Sequence, residues 1–309
     1  CNFIFKQISE EFKDNVTKVL ELTDIENWDG AKIKDKENEI IGFGDNFSIY
    51  ENIILNFSLD SKTLAVRTNK NSVQILKLDN KPIQVTNIST KEGDTVENIN
   101  FSADGKIVIT TNHHTVKLWQ LKNKANKGPK LLRIFPGHKN QVTDVSISPN
   151  GQIIASASHD NTVKLWQRNR ELPLNFKKHK NKVNSVSFSP DGKLVASASD
   201  DRTIKIWEAD SGKKIRNCKG HIKGVESASF SPDGKIIASI GKDNTVRLWN
   251  IEGEGCKFLH SLGSGDSIYG VSFHPESPLI AISSQNANTL WNINNGTRLA
   301  SFEGLQSTY

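Results

Sequence analysis

Apolar residues alternate with polar ones in short runs along most of this chain, and turn formers punctuate the runs. In QVTDVSISPNGQ (141–152), Val142, Val145 and Ile147 lie in an alternating stretch that ends at the turn Ser148-Pro149-Asn150-Gly151. A short apolar and serine strand follows from Ile153 to Ser158, then a tight turn at His159-Asp160-Asn161, then a run from Thr162 to Trp166. A fourth run, Leu172 to Phe176, precedes the return of the same pattern. Four short antiparallel strands thus fit into each stretch of about 43 residues, with no helical period between them.

The pattern repeats in register. GQIIASASHDNTVKLW (151–166), GKLVASASDDRTIKIW (192–207) and GKIIASIGKDNTVRLW (234–249) align without a gap. Trp119, Trp166, Trp207, Trp249 and Trp291 recur at intervals of 47, 41, 42 and 42 residues, and Leu76 takes the same place 43 residues before Trp119. Residues 46–303 therefore divide into six units, at roughly 46–89, 90–136, 137–177, 178–219, 220–262 and 263–303. One four-stranded sheet cannot bury both of its faces. Set radially, each sheet packs on its neighbours, and the expected fold is an all-β propeller.

These units resemble the WD repeats of β-propellers. The family signature is Gly-His before the first strand, SPDG after it, Asp in the second turn and Trp ending the third strand. It reads here as Gly137-His138, Asp160 and Trp166; as Lys178-His179, Asp201 and Trp207; and as Gly220-His221, Asp243 and Trp249. The resemblance covers residues 46–303, about five-sixths of the chain. Polar satisfaction explains the residue types. The turn Asp accepts from the imidazole, which meets a strand hydroxyl that in turn accepts the indole proton. Leaving one such buried group unpaired costs about 1–3 kcal/mol. Ser156, Ser197 and Ser239, four residues before each Asp, are assigned the hydroxyl role. A recurring Ser, His and Asp also invites a catalytic-triad reading, but three copies beside a buried Trp point to structure. Counted back from the Trp, the Asp place holds Lys70, His113 and Gln285 in the other units, which are expected to be locally less stable.

Seven blades is the commonest ring of this family, so residues 1–45 are expected to supply a divergent seventh blade. Phe3 to Ile8, Thr17 to Leu22, Ile25 to Trp28 and Glu39 to Phe43 can be read as its strands. The rival reading is a linker or helix, since Phe5, Ile8, Phe12, Val16 and Val19 fall at helical spacing. Residues 304–309 read as a tail. The chain starts at Cys1 and contains no methionine, which reads as a domain cut from a longer chain or as a processed terminus able to carry a lipid.

Repeat register also nominates a surface. Residues six and four before the aromatic or apolar end of the first strand, and the one before the turn Asp, should face the narrow side of the ring. Among them are Glu51, Ile53, Glu97, Thr143, His159, Lys182, Asn184, Asp200, Glu226, Lys242 and Tyr269. They vary from copy to copy while the scaffold positions repeat, as individual partner contacts would. Tyr269 and Ile53 are the best anchors, because large apolar and aromatic side chains dominate hot spots.

Composition narrows the function. Lys and Arg number 40 against 34 Asp and Glu, a formal charge of +6, which is a mild excess. Two basic runs stand out, Lys177 to Lys182 on the narrow side and Lys122 to Lys130 on the opposite rim. They do not form one stripe, so a nucleic-acid partner is not expected. No stretch approaches the ~20 apolar residues of a membrane helix, and no membrane association is expected. Three cysteines without a CxxC exclude a disulfide scaffold and a cysteine zinc site, and suit a reducing, cytoplasmic compartment. No GxxxxGK[ST], HExxH, EF-hand or GxSxG motif occurs. Glu97 and Glu226 hold equivalent positions three blades apart, farther than the ~5–9.5 Å of a glycosidase pair. No metal, cofactor, small-molecule substrate or catalytic residue is expected. The resemblance implies a non-catalytic scaffold for protein partners, similar to cyanobacterial arrays that form the sensor or scaffold part of larger regulatory proteins. The alternatives are a polyanion-binding module and, after it, a propeller enzyme.

Overall fold

A computed structural model describes residues 32–34, 40–42, 55–58, 62–77, 84–90, 95–121, 128–167, 173–263 and 265–303. Among the described residues the fold is all-β, without helix. The first strands, β1 (Lys32–Lys34) and β2 (Ile40–Gly42), form an antiparallel pair. Six four-stranded meanders follow, the blades of this fold. Blade 1 is β3 (Leu55–Phe57), β4 (Thr63–Asn69), β5 (Ser72–Lys77) and β6 (Gln84–Ser89); blade 2 is β7 (Asn98–Phe101), β8 (Ile107–Asn112), β9 (Thr115–Gln120) and β10 (Lys130–Pro136). Blade 3 is β11 (Val142–Ile147), β12 (Ile153–Ser158), β13 (Val163–Gln167) and β14 (Leu174–Phe176); blade 4 is β15 (Val183–Phe188), β16 (Leu194–Ser199), β17 (Thr203–Glu208) and β18 (Lys214–Lys219). Blade 5 is β19 (Val225–Phe230), β20 (Ile236–Gly241), β21 (Val246–Asn250) and β22 (Lys257–Leu262); blade 6 is β23 (Ile268–Phe273), β24 (Leu279–Ser284), β25 (Ala287–Asn292) and β26 (Arg298–Glu303).

The chain divides into two compact parts, residues 1–112 with 117–134, and residues 113–116 with 135–309. In the first, blades 1 and 2 share a core of Ile75, Ile88, Ile99, Val108 and Trp119. In the second, Val186 and Trp207 pack on blade 3, Ile204 and Trp249 join blade 4 to blade 5, and Leu248 and Ile280 join blade 5 to blade 6. Each inner blade buries both faces. That is why the second strands IIASAS and LVASAS are run through with small residues and are buried almost end to end. Small side chains let neighbouring sheets approach closely on either side.

The corner between first and second strands is a built turn. In blades 3, 4 and 5 the Gly amide donates to the Ser carbonyl three residues back, at 2.8–2.9 Å, with the glycine in the left-handed region at φ +69 to +72. The Ser hydroxyl caps the incoming strand, accepting from the amides of Ile153, Leu194 and Ile236 at 2.9 Å each. It donates to the carboxylates of Asp191 and Asp233 at 2.6 and 2.5 Å, and to Asn150 Oδ1 at 2.7 Å. Ser-Pro-Asp-Gly is therefore a chemical instruction for that corner, not merely a polar loop.

Of the four strands expected within residues 1–45, Glu39 to Phe43 corresponds to β2; the other three and the rival helix lie outside the described residues, as does the tail at 304–309. β1 is a strand the sequence pattern did not reveal. The run expected to begin at Leu172 is a strand over Leu174–Phe176.

Candidate functional site

Three blades carry the same buried chain of hydrogen bonds. In blade 3, Trp166 Nε1 donates to Ser156 Oγ at 2.9 Å, Ser156 Oγ lies 2.7 Å from His138 Nε2, and His138 Nδ1 lies 2.8 Å from Asp160 Oδ2. The distances recur with Trp207, Ser197, His179 and Asp201 (2.9, 2.7 and 2.8 Å), and with Trp249, Ser239, His221 and Asp243 (2.8, 2.8 and 3.0 Å). Proton positions follow from charge. Hydrogen bonds from His138 and Thr162 outweigh burial and hold the Asp160 carboxyl far below its ordinary range; Asp201 is held likewise, and Asp243 is lowered to about 2. Burial pushes all three imidazoles down despite the carboxylate beside each. Each histidine is thus neutral near pH 7, donates from Nδ1 to its carboxylate, and accepts at Nε2 the serine proton.

The sequence pattern missed a further partner. Thr162, Thr203 and Thr245 donate their hydroxyls to the same carboxylates at 2.6, 2.5 and 2.7 Å. The signal was present, since Thr stands two residues after every network Asp. Each carboxylate also accepts a backbone amide from the residue after its histidine, namely Lys139, Lys180 and Ile222, at 2.9–3.0 Å. The network thereby fastens the entry loop of a blade to its second turn. It is unlike a reactive triad, because each serine is 0% exposed and its oxygen already holds an indole proton.

On the rim above, the first strand of blades 3 to 6 carries a β-bulge at one register. Pairing skips Thr143, Asn184, Glu226 and Tyr269. A bulge re-aims the extra side chain, and these are the residues nominated four places before the strand end. Their fates differ. Thr143 Oγ1 donates to the Val183 carbonyl at 2.7 Å, and Asn184 Nδ2 donates to the Val225 carbonyl at 2.8 Å. Both lace one blade to the next, because a short polar side chain on the bulge reaches the neighbouring strand, and both are half-buried. Glu226 is exposed, and Tyr269 is 69% exposed.

The other two nominated positions adjoin each other through the backbone. The amides of His159, Asp200 and Lys242 donate to the carbonyls of Gln141, Lys182 and Gly224 at 2.8–2.9 Å. Asp200 Oδ1 also takes Lys242 Nζ at 2.8 Å and Asn184 Nδ2 at 2.8 Å, binding blade 4 to blade 5. His159 and Glu97 are half-buried, Lys182 is exposed, and Glu51 and Ile53 lie outside the described residues. In blade 6 the second turn is one residue shorter. There Gln285 N donates to the Ser267 carbonyl at 2.9 Å, so Gln285 stands where Asp200 stands and not at the Asp place that counting back from Trp291 assigned.

Cys218 of β18 and Cys256 before β22 are bonded, with Cα atoms 5.2 Å apart. The expectation from the cysteine count, no disulfide scaffold and a reducing compartment, did not anticipate this bond. The two are 38 residues apart in sequence and meet because consecutive blades stack, a proximity no CxxC spacing registers. Among the described residues no group of three or more His, Cys, Asp and Glu side chains is placed to hold a metal ion.

The family model for the WD domain, G-beta repeat, matches residues 129–167, 170–208 and 212–250, the stretches that hold the three buried networks. They are WD repeats. Proteins sharing WD-repeat sequence with the chain include the target of rapamycin complex subunit LST8 of Saccharomyces cerevisiae, 29% identical over 26% of this chain and 26% of that protein. An uncharacterised WD repeat-containing protein of Synechocystis is 28% identical over 40% of this chain and 34% of that one. The matched stretches thus span a quarter to a third of these relatives. A chain in a crystal structure of the mitotic checkpoint complex superposes with a TM-score of 0.69 at 18% identity, over 81% of this chain and 79% of its own. That likeness is one of fold, and the fold class is all-β with six WD-propeller blades.

Proposed function

We propose that the WD blades form a non-catalytic platform for protein partners, with docking on the rim that carries Lys182, Glu226, Lys242 and Tyr269. One observation carries this reading. Four successive first strands bulge at one register on a scaffold that otherwise repeats, with a different residue on each bulge, and the bulges of blades 5 and 6 turn out Glu226 and Tyr269. A rigid frame presenting varied residues fixes contacts at low entropic cost. The names of similar proteins, a target of rapamycin complex subunit and a Set1 complex component, support the same role.

We further propose that the chain is the sensor or scaffold part of a larger bacterial regulatory protein, a reading supported by its likeness to the Synechocystis protein. A cytoplasmic location belongs to this proposal; the Cys218–Cys256 bond is the observation that stands against it. No helix among the described residues is long and apolar enough to cross a membrane.

A photo-crosslinking residue placed at Tyr269 or Glu226 in the native cell tests the platform. One partner captured from both sites, and not from Lys235 at the far end of blade 5, is the expected result. Capture only from Lys235 would refute the rim assignment. Tyr269→Ala should weaken the captured partner about tenfold without moving the melting temperature.

A further inference from the structure

The entry loops of blades 3, 4 and 5 all lie at one rim, each fixed there by the backbone bond from Lys139, Lys180 or Ile222 to its turn carboxylate. They bring together Lys139, Lys178, Lys180, Lys182, Lys219 and Lys223, all exposed. The sequence run at 177–182 is thus only the middle of a longer crescent. Among the described residues no ion pair engages any of these six lysines. The acids of this rim are mostly committed: Asp160, Asp201 and Asp243 to the buried networks, and Asp200 to Lys242 and Asn184. Glu226 is the exposed exception.

Among the described residues the other end of the same blades is balanced. Lys193 pairs with Asp191 at 3.9 Å and Lys235 with Glu252 at 3.0 Å, and Asp210 and Glu254 are exposed there. Among the described residues of blades 3 to 5, exposed cations therefore outnumber available anions at the entry-loop rim and not at the far end. Burial lowers the Lys164 ammonium beneath this rim, the Asp160 carboxylate opposes that, and the charges of Lys177 and Lys139 add to the lowering.

We infer that this rim recognises an acidic peptide segment of the partner protein, with carboxylates meeting the lysine crescent of blades 3 to 5. The inference rests on the rim being partner-facing and adds the chemistry of what docks. A peptide fits better than a nucleic acid for two reasons. The lysines form three clusters on separate loops, with Glu226 and the Asp200 carboxylate among them, and a continuous phosphate backbone would meet those anions. The exposed Tyr269 and Phe302 both belong to blade 6, not to the lysine-bearing loops of blades 3 to 5, which leaves little for bases to stack on beside the lysines.

The test uses the full chain and three fluorescent probes: a short Glu-Ser peptide, its Gln-Ser counterpart, and single-stranded DNA of equal charge. The acidic peptide should bind, the Gln peptide should not, and K178Q/K180Q/K182Q should weaken binding about tenfold through the loss of exposed ion pairs. K193Q/K235Q, at the far end, should change nothing. Tighter binding of the DNA, or equal loss from both sets of substitutions, would overturn the inference. So would salt-sensitive self-association abolished by the rim substitutions, which would make the occupant a second copy. If a partner crosslinks at Tyr269 while the acidic peptide fails to bind, the platform stands and the chemistry proposed here falls. If the peptide binds at the lysines and no partner crosslinks at the rim, the platform reading fails instead.

Discussion

Blade 6 and the three blades before it share one plan and differ in what lies inside. All four bulge at the same point of the first strand and end the third strand in tryptophan. In blades 3 to 5 the indole proton passes to serine, and Trp166, Trp207 and Trp249 are 1–3% exposed. In blade 6 Ile282 pairs where Ser156, Ser197 and Ser239 pair, so Trp291 turns its Nε1–H to Thr289 Oγ1 at 2.8 Å and stays half-buried. His274 replaces the corner serine, its ring nitrogen accepting the amides of Glu276 and Ser277 at 3.2 and 3.0 Å. A blade can therefore form without the His-Asp network. Strand period and corner chemistry build the meander; the network then locks the entry loop to the second turn.

The sharpest way to break this comparison is to remove the indoles. Trp207→Ala empties a fully buried site between blades and should cost about 3–5 kcal/mol in urea denaturation. Trp291→Ala should cost about half as much, since less area leaves the core. Equal losses would mean that the network adds nothing beyond packing. Hydrogen exchange gives the companion measurement: amides of β24 and β25 should exchange faster than those of β16 and β17.

The disulfide belongs to the regular blades alone and should rank next. Closing a loop over a 38-residue separation restricts the unfolded chain, and C218A/C256A should cost about 3–4 kcal/mol. Non-reducing peptide mapping should find Cys218 and Cys256 linked. A fully alkylated chain of unchanged stability would remove the staple from the comparison.

Much of this was legible in the sequence, and what escaped it has a pattern. The Trp spacing located every third strand that ends in Trp, and the Ser-x-x-Gly corners located the first turns, because both are local in sequence. The His, Ser, Asp and Trp set was legible because it repeats in three copies. The bonds of Thr143 and Asn184 were not legible for the opposite reason: their acceptors, the carbonyls of Val183 and Val225, are 40 and 41 residues away on the next blade. Gln285 was misplaced because one residue is missing from its turn, an event that a count from Trp291 absorbs silently. Contacts between blades and single-residue deletions are what a one-dimensional register does not record.

Acid should separate the two kinds of blade. Asp243 titrates at about 2 in the folded chain against an ordinary 3.8, so the unfolded state takes up the proton first. Its contribution, about 2 kcal/mol, is intact above pH 4 and lost as pH falls toward 2. Asp160 and Asp201 act in the same direction. The three buried histidines act earlier with the same sign. Each is lowered from 6.5, so its stabilisation is complete above pH 6.5 and declines as acid protonates the unfolded state. Exchange protection of blades 3 to 5 should therefore fall in two stages on acidification. Blade 6 has no such carboxylate and should change less; parallel loss in all four would tie the pH dependence to something other than the networks.

The smallest effect lies in the second turn. Asn161, Arg202 and Asn244 hold the left-handed conformation there, at φ 67, 66 and 60. Asparagine tolerates this region because its short polar side chain bonds locally, whereas a long side chain pays the Cβ clash without that return. Arg202 is the one departure among the three regular blades, and the shorter turn of blade 6 has no described residue of this kind. Arg202→Asn should therefore raise stability by about 0.5 kcal/mol, read as a small upward shift in the urea midpoint with an unchanged slope. Asn161→Arg in blade 3 should lower it by a similar amount. If Arg202→Asn instead destabilises the chain, the guanidinium makes a contact whose value exceeds the strain, and blade 4 would differ from its neighbours in more than its turn.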